Sequence, residues 1–268
     1  MLVTSLANSQ IKAIRRLRNR KERQESGLFY LEGLRIVGEA IQQGAKIETL
    51  VVAPELLVSE FGQKLVEEQA RRGMPILEVS AQVFKGLALK EGPQGIAAVA
   101  YQRWTPLSGV NLCEGKTWVA LDAVADPGNL GTILRTHDAT GGRGVILLDQ
   151  ATDPFEPTSV RASMGAIFSQ VLVKSTLAEF KEFQQRVNVP VIGASGNAQA
   201  DYHHVRYPNE LILLMGSERQ GLSKHHLQLC DELVRIPMIG RSDSLNLAVA
   251  TALILYEIFN QRRDAESM

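Results

Sequence analysis

Cysteine is nearly missing from this chain: there are two, Cys113 and Cys230, far apart and outside any CxxC or Cys/His cluster. That excludes a disulfide scaffold, argues against a structural metal and fits a reducing compartment, so a cytoplasmic location is expected. No run of about 18 apolar residues occurs, and the start, MLVTSLANSQIKAIRR, has no continuous apolar core of a signal peptide. A soluble, unprocessed protein with no membrane partner is expected. Net charge is missing too, with 29 Lys and Arg against 29 Asp and Glu, so no global field draws the protein toward nucleic acid or membrane. Neither GxGxxG nor GxxxxGK[ST] is spelled out, which removes the pyrophosphate cradle and the P-loop. The adjacent pairs His203-His204 and His225-His226 point to different sides of any helix or strand, and no acidic residue repeats at ligand spacing. No metal is expected.

What is present is ordinary globular material, 45% apolar and 22% charged over 268 residues, enough for one large domain or two moderate ones. Charge is unevenly placed. Residues 1 to 26 carry Lys12, Arg15, Arg16, Arg18, Arg20, Lys21 and Arg23 against Glu22 and Glu25. Such a helix-compatible segment neutralises phosphates, or is the solvated face of an amphipathic helix whose apolar side is Leu6, Ile11, Ile14 and Leu17.

Read in order, residues 1–103 alternate strands and helices: a strand, a helix over Leu34 to Gln43, a strand at Thr49 to Ala53, and a helix over Phe61 to Arg72. A strand at Ile76 to Val79 follows, Ser80 caps a helix ending near Leu89, and GPQGIAAVAYQ supplies one more strand. Residues 104–115, WTPLSGVNLCEG, read as a linker. From Lys116 the pattern restarts with strand TWVALD, loop AVADPGN, helix LGTILRTHDAT and strand GVILLD. A helix over Ser159 to Ile167, further strands and helices, and a closing helix from Leu245 to about Gln261 complete residues 116–268. The class is α/β, and this second part is expected to hold a mostly parallel sheet covered on both faces.

Three stretches ask for chemistry. DAVADPGNLGTILR is a strand end opening into a helix, where backbone amides and the helix dipole converge. Within it Arg135 lies among Leu130, Ile133 and Leu134. Its guanidinium suits an oxyanion or pairs with a carboxylate such as Asp126 or Asp138. In LLMGSERQGLS, Gly216 after an apolar strand admits a ligand close to the backbone, with Glu218 beside it. The alternative is a commonplace strand-turn-helix. In IPMIGRSDSLNLAVATALILYEIF, Ile236, Met238 and Gly240 build a second such loop and Ser244 is a natural N-cap. Asn246 is an amide in an otherwise apolar first turn, needing partners from a site or from local backbone. The apolar stripe Leu247, Ala250, Ile254, Phe259 exceeds what one packed face needs, which points to a subunit interface.

Together, in this order, these three blocks resemble the SpoU/TrmH family of SPOUT RNA 2′-O-ribose methyltransferases, over Lys116 to about Arg262; VRASMGAIFSQVLV resembles a segment of its ribosomal-RNA-directed members. The resemblance implies a deep trefoil knot, a rare exception to ordinary chain connections, and a homodimer with active sites at its interface. It implies S-adenosylmethionine as cofactor, in loops containing Gly193, Ala194, Ser195, Gly196, Leu214, Gly216, Ile236, Met238 and Leu245. Arg135, Asn129, Glu218, Ser244 and Asn246 match the residues at the chemistry. The N-terminal part resembles, less specifically, a ribosomal-protein-like α/β RNA-binding extension, through LEGLRIVGEAIQQG and GPQGIAAV, which makes Lys12, Arg15, Arg16, Arg18 and Arg20 expected RNA contacts. Ribosomal RNA is favoured over transfer RNA as substrate, and a non-catalytic RNA-binding assembly factor on the same fold is the competing reading. In the family the arginine matched by Arg135 is the proposed proton acceptor. A guanidinium with a pKa above about 12 has no acceptor to offer, so the role expected here is to hold the neighbouring phosphate and steady a developing alkoxide. Departures from the pattern are His137, a candidate RNA contact where a small residue is common; Arg219, where Gly is frequent; and Leu247-Ala248, in place of Val-Ser.

Overall fold

Asn8 accepts hydrogen bonds from the N–H groups of Gln10 and Ile11 and so starts α1 (Ser9–Arg16), which buries Ile11 and Ile14. The computed structural model describes residues 2–89, 91–112 and 116–266; Cys113 and the end of the expected linker lie outside them. Asn19 caps α2 (Arg20–Ser26), and Gly27 at φ 68 ends it in the left-handed conformation that a glycine adopts without strain. The chain continues through β1 (Leu28–Glu32), α3 (Leu34–Gln42), β2 (Ile47–Val52), α4 (Glu60–Arg71), β3 (Ile76–Glu78), α5 (Ala81–Leu87) and β4 (Ile96–Tyr101). Ser80 caps α5 as expected, accepting from the N–H of Val83. The four strands form a mixed sheet in the order β1-β4-β2-β3, with β4 antiparallel to both neighbours and β2 parallel to β3. Ile11, Ile14 and Leu17 pack with Val83, Phe84 and Val99 on this sheet. Leu6, expected on the same apolar side, stays 37% exposed.

The second sheet is built from β5 (Thr117–Asp122), α6 (Pro127–Ala139), β6 (Gly144–Leu148), α7 (Pro157–Ala162), β7 (Val171–Ser175), α8 (Leu177–Val187), β8 (Val191–Ala194), β9 (Ala200–Asp201), β10 (Leu211–Met215), α9 (Lys224–Leu227), β11 (Glu232–Arg235) and α10 (Leu247–Glu266). Among the described residues its seven strands run in the order β7-β6-β5-β10-β8-β11-β9, and every pairing is parallel. Its strands read as continuous apolar runs because both faces are covered: all five residues of β6 and of β10 are buried. One layer of core joins Trp118, Ile146, Phe180, Phe183, Ile212 and Leu214.

By compactness the chain divides into Met1–Gln102 with Asp153–Phe168, and Arg103–Thr152 with Ser169–Met268. Three expectations change here. Residues 104–112 are packed rather than free: the Thr105 N–H donates to the Leu172 carbonyl, Leu107 and Val110 lie against the second core, and Leu112 is buried in it. The helix expected over Ser159 to Ile167 stops at Ala162, because Met164 and Gly165 take φ values of 52 and 102 before a 3-10 turn at Ala166–Phe168. In α10, Leu247 and Ile254 are buried, so the apolar surplus is instead Val249, Leu253 and Tyr256, spaced on one exposed stripe.

A candidate active site at the carboxyl edge of the large sheet

Asp126 starts α6 by accepting a 2.7 Å hydrogen bond from the N–H of Asn129, with Pro127 in the first turn, where its missing N–H costs nothing. Leu130, Ile133 and Leu134 bury the inner face of the helix. That leaves Asn129 and Arg135 on its outer side. Asn129 Nδ2 donates to Glu218 Oε1 at 3.3 Å, and Asn129 Oδ1 accepts from Asn246 Nδ2 at 2.9 Å. Glu218 also accepts from the N–H groups of Ala125 and Asp126, at 3.2 and 3.3 Å. Burial alone would raise its pKa, but its own N–H, those of Ala125 and Asp126, and the Asn129 amide together hold the carboxyl below its ordinary value. Three loops distant in sequence are therefore tied by one carboxylate and two amides.

Asn246 is oriented from both ends. Its Oδ1 accepts from the N–H groups of Ala248 and Val249, at 2.9 and 3.3 Å, which makes Asn246 the residue that caps α10. Ser244, expected in that role, sits exposed two residues earlier and makes no hydrogen bond among the described residues. Arg135 is exposed and pairs with neither carboxylate offered to it by sequence. Asp126 is used as the cap of α6, and Asp138 accepts from Ser169 and Gln170. Asp126 itself was missed as a site-building residue, although Asp-Pro ahead of an apolar helix is a start signal.

The positions matched to a cofactor fall along one edge. Register pairs Leu214 with Gly193 and Val234 with Ala194, so the ends of β10, β8 and β11 lie side by side. Gly193 and Ala194 close β8, with Gly193 packed so that a Cβ on it would stand 2.4 Å from Cys230 Sγ, and Ser195, Gly196, Gly216, Ile236 and Met238 follow from the strand ends. No side chain or backbone lies near where a Cβ on Gly196 would point, and Met238 and Leu245 expose apolar surface. This mixture of open backbone and apolar side chains fits a nucleoside-like group. Gly216 is required by its own turn, since a Cβ there would stand 2.1 Å from the Gly221 carbonyl carbon.

His137 is fully buried and touches no solvent, which rules out the RNA contact suggested for it. Nδ1 lies 2.8 Å from Gln170 Oε1 and Nε2 lies 3.0 Å from the Thr117 carbonyl. Burial outweighs both hydrogen bonds and lowers its pKa to about 4. Gly142 is its necessary neighbour, since a Cβ there would fall 2.0 Å from Nε2.

In the N-terminal unit, Lys12, Arg15 and Arg16 are exposed and, with Ser9 and Arg18, line a surface depression. Arg18 is only partly available: Nη2 donates to the carbonyls of Gly86, Leu87 and Ala88, closing the end of α5. Arg20 is exposed. Arg23 is withdrawn altogether. It is 1% exposed, its Nη2 and Nε reach Asp153 Oδ2 at 2.7 and 2.8 Å, and Nη1 donates to the carbonyls of Leu17 and Arg18.

Residues 116–256 match the profile of the SpoU rRNA Methylase family. The chain belongs to that family. Residues 8–98 match the MRM3-like substrate binding domain, so the two profiles meet the two halves of this SpoU-family chain. It is similar to the 23S rRNA (guanosine(2553)-2'-O)-methyltransferase RlmP of Bacillus subtilis, 28% identical with 96% of this chain and 98% of that protein covered. Among solved structures it is similar to an AdoMet-bound rRNA methyltransferase from Sinorhizobium meliloti, with 39% identity, a TM-score of 0.88 and 98% of each chain covered. It is also similar to the SpoU methyltransferase AviRb from Streptomyces viridochromogenes in complex with AdoMet, at 28% identity and a TM-score of 0.85, covering 96% of this chain and 98% of that one.

Proposed function

We propose that this SpoU-family enzyme transfers a methyl group from S-adenosylmethionine to a ribose 2′-hydroxyl of ribosomal RNA, with Arg135, Asn129, Glu218, Ser244 and Asn246 as its site. The observation that carries this reading is the Asn246–Asn129–Glu218 chain of hydrogen bonds, which ties three loops at the carboxyl edge of the sheet, with Arg135 exposed further along the same helix and unpaired among the described residues. Relatives of matching length named as ribosomal RNA 2'-O-methyltransferases support the substrate class. Gly193, Ala194, Ser195, Gly196, Leu214, Ile236, Met238 and Leu245 would hold the cofactor, with Gly216 shaping the turn beside it. Bound there, S-adenosylmethionine supplies an electrophilic sulfonium methyl group.

The residues of the chain then have to orient and prepare the acceptor. Arg135 holds the phosphate next to the acceptor ribose and steadies negative charge as the 2′-oxygen develops alkoxide character. Asn129 and Asn246 fix the nucleotide by position, each locked by the other. Glu218, kept ionised, binds the loops, and the proton of the 2′-hydroxyl passes instead to the neighbouring phosphate or to a water as the oxygen takes the methyl group. Lys12, Arg15 and Arg16 contact RNA phosphates in the substrate-binding half. The exposed stripe Val249, Leu253 and Tyr256 supports a homodimer, knotted as the resemblance implies, working in the cytoplasm where ribosomes are assembled.

The test is methyl transfer from labelled S-adenosylmethionine to ribosomal RNA by the purified protein and by Arg135→Lys. The expected result is transfer by the wild type and a loss of about a hundredfold or more in turnover for the variant, with unchanged S-adenosylmethionine binding. Full turnover by the lysine variant at unchanged RNA affinity would overturn the guanidinium's role. Mapping ribose methylation in a strain lacking the gene identifies the nucleotide, and loss of a transfer-RNA methyl with every ribosomal one intact would overturn the substrate assignment.

A further inference from the structure

A histidine outside the described site faces two carboxylates across a gap. Asp122 is the last residue of β5, and Asp149 directly follows β6, the neighbouring strand in register with it. His226 comes from α9, far along the chain. One ligand atom from each of the three lies within 4.8 Å of the other two. The His226 side chain is 6% exposed, and Nε2 lies 3.5 Å from Asp122 Oδ1 with no hydrogen-bond partner among the described residues. The other ring nitrogen, Nδ1, sits 2.7 Å from Ser223 Oγ, which holds the ring so that Nε2 points at the carboxylates.

We propose that Asp122, Asp149 and His226 form a divalent-cation site. An ion pair alone accounts for the geometry poorly: charge-assisted N–H···O bonds run about 2.7 to 2.9 Å, shorter than the separation here. Nor does it offset the repulsion between the two carboxylates, of which Asp149 is otherwise answered, among the described residues, by the Leu177 N–H at 3.2 Å from its Oδ1. A cation bound to Nε2 resolves both, because it partners a buried nitrogen that would otherwise be left unsatisfied and neutralises the two carboxylates. The donor set, one imidazole and two carboxylates with no thiolate, suits Zn2+ or Mn2+ better than Mg2+ or Ca2+. Ser223 is the outer hydroxyl that sets the ring's tautomer and direction. A tetrahedral Zn2+ with bonds of about 2.0 to 2.2 Å holds its ligand atoms roughly 3.5 Å apart, so the site closes when the exposed Asp149 moves inward by about an ångström. With three protein ligands, a water fills the fourth position. The loop that leaves Asp122 carries Ala125 and Asp126, whose N–H groups bind Glu218. A cation at Asp122 thus anchors one end of the loop that organises the active site.

The experiment is calorimetric titration of the chelator-stripped full chain with ZnCl2 and, separately, MnCl2, alongside Asp149→Asn, His226→Gln and His203→Ala/His204→Ala. The expected result is one equivalent of Zn2+ or Mn2+ per chain, at least about tenfold weaker in the first two variants and unchanged in the third. Bound metal is expected to raise the melting temperature of the wild type and not of Asp149→Asn. Asp149 is exposed, so that variant carries the test if His226→Gln does not fold. No stoichiometric uptake of either ion, or equal affinity in Asp149→Asn and wild type, would show an Asp–His ion pair only and overturn the site. Loss of uptake in His203→Ala/His204→Ala with retention in the other two would do the same.

Discussion

Arg23 and Arg135 carry the same guanidinium, and the two halves of the chain use it in opposite ways. Arg23 donates to Asp153 and to two carbonyls and is sealed from solvent. Arg135 stands exposed on α6 with no partner in the chain among the described residues. Five donors in a fixed fork must be answered by something. Where the fold answers them the residue is structural, and where it does not a ligand can. Arg18, closing α5 while lining the basic depression, lies between these extremes.

The sharpest way to break the comparison is to remove the internal partner. Asp153→Ala leaves the buried Arg23 uncompensated and is expected to destabilise the N-terminal unit by about 3 to 5 kcal/mol, read by denaturant unfolding. A cost near that of a surface pair, about 1 kcal/mol or less, would show that Arg23 is not committed to the fold. The next largest effect comes from His137, which is also consumed by the interior. Its pKa is lowered to about 4 in the folded chain, against about 6.5 unfolded. Above pH 6.5 both states are neutral there and stability is fully present. As the pH falls from 6.5 toward 4 the unfolded chain takes up a proton that the folded one refuses, and roughly 3 kcal/mol is lost. His137→Gln should flatten the pH dependence of stability in that window, and an unchanged slope would refute the assignment.

Asn246 belongs to both camps, so its replacement sharpens the contrast. Asn246→Asp keeps the cap of α10 but loses the donor to Asn129, whereas Asn246→Ala loses both. Only the alanine variant should lose about 1 kcal/mol of stability, while both lose methyl transfer. The smallest effects are expected on the basic helix. Arg15→Ala should weaken RNA binding and reduce the salt dependence of log affinity by about one charge's worth, with stability unchanged. Arg18→Ala should instead cost stability, seen as an earlier thermal transition.

Much of this was legible in the residues. Ser80 before an apolar turn and the unbroken apolar runs at Thr117–Asp122 and Leu211–Met215 are local signals, and the corresponding elements formed, whereas α6, read from Leu130, begins at Pro127 under the Asp126 cap. Candidates whose role depends on a distant partner were not decided locally. Ser244 and Asn246 are both acceptable caps; α10 begins at Leu247, so Asn246 takes the place while its amide reaches Asn129 across the edge. His137 is an ordinary helical polar residue until Gly142 and Gln170 close over it.

What the sequence determined by itself was the α/β class, the strand and helix order and the three blocks that carry the chemistry, because apolar periodicity, caps and turn residues act over a few positions. The tertiary structure alone decided which polar groups are spent and which are free. Arg23 meets a carboxylate 130 positions away, Asn129 meets an amide 117 positions away, and Arg135 meets no partner among the described residues. Hydrogen bonding and desolvation act through space, so the availability of a side chain is set only when the sheet has brought distant residues to one edge.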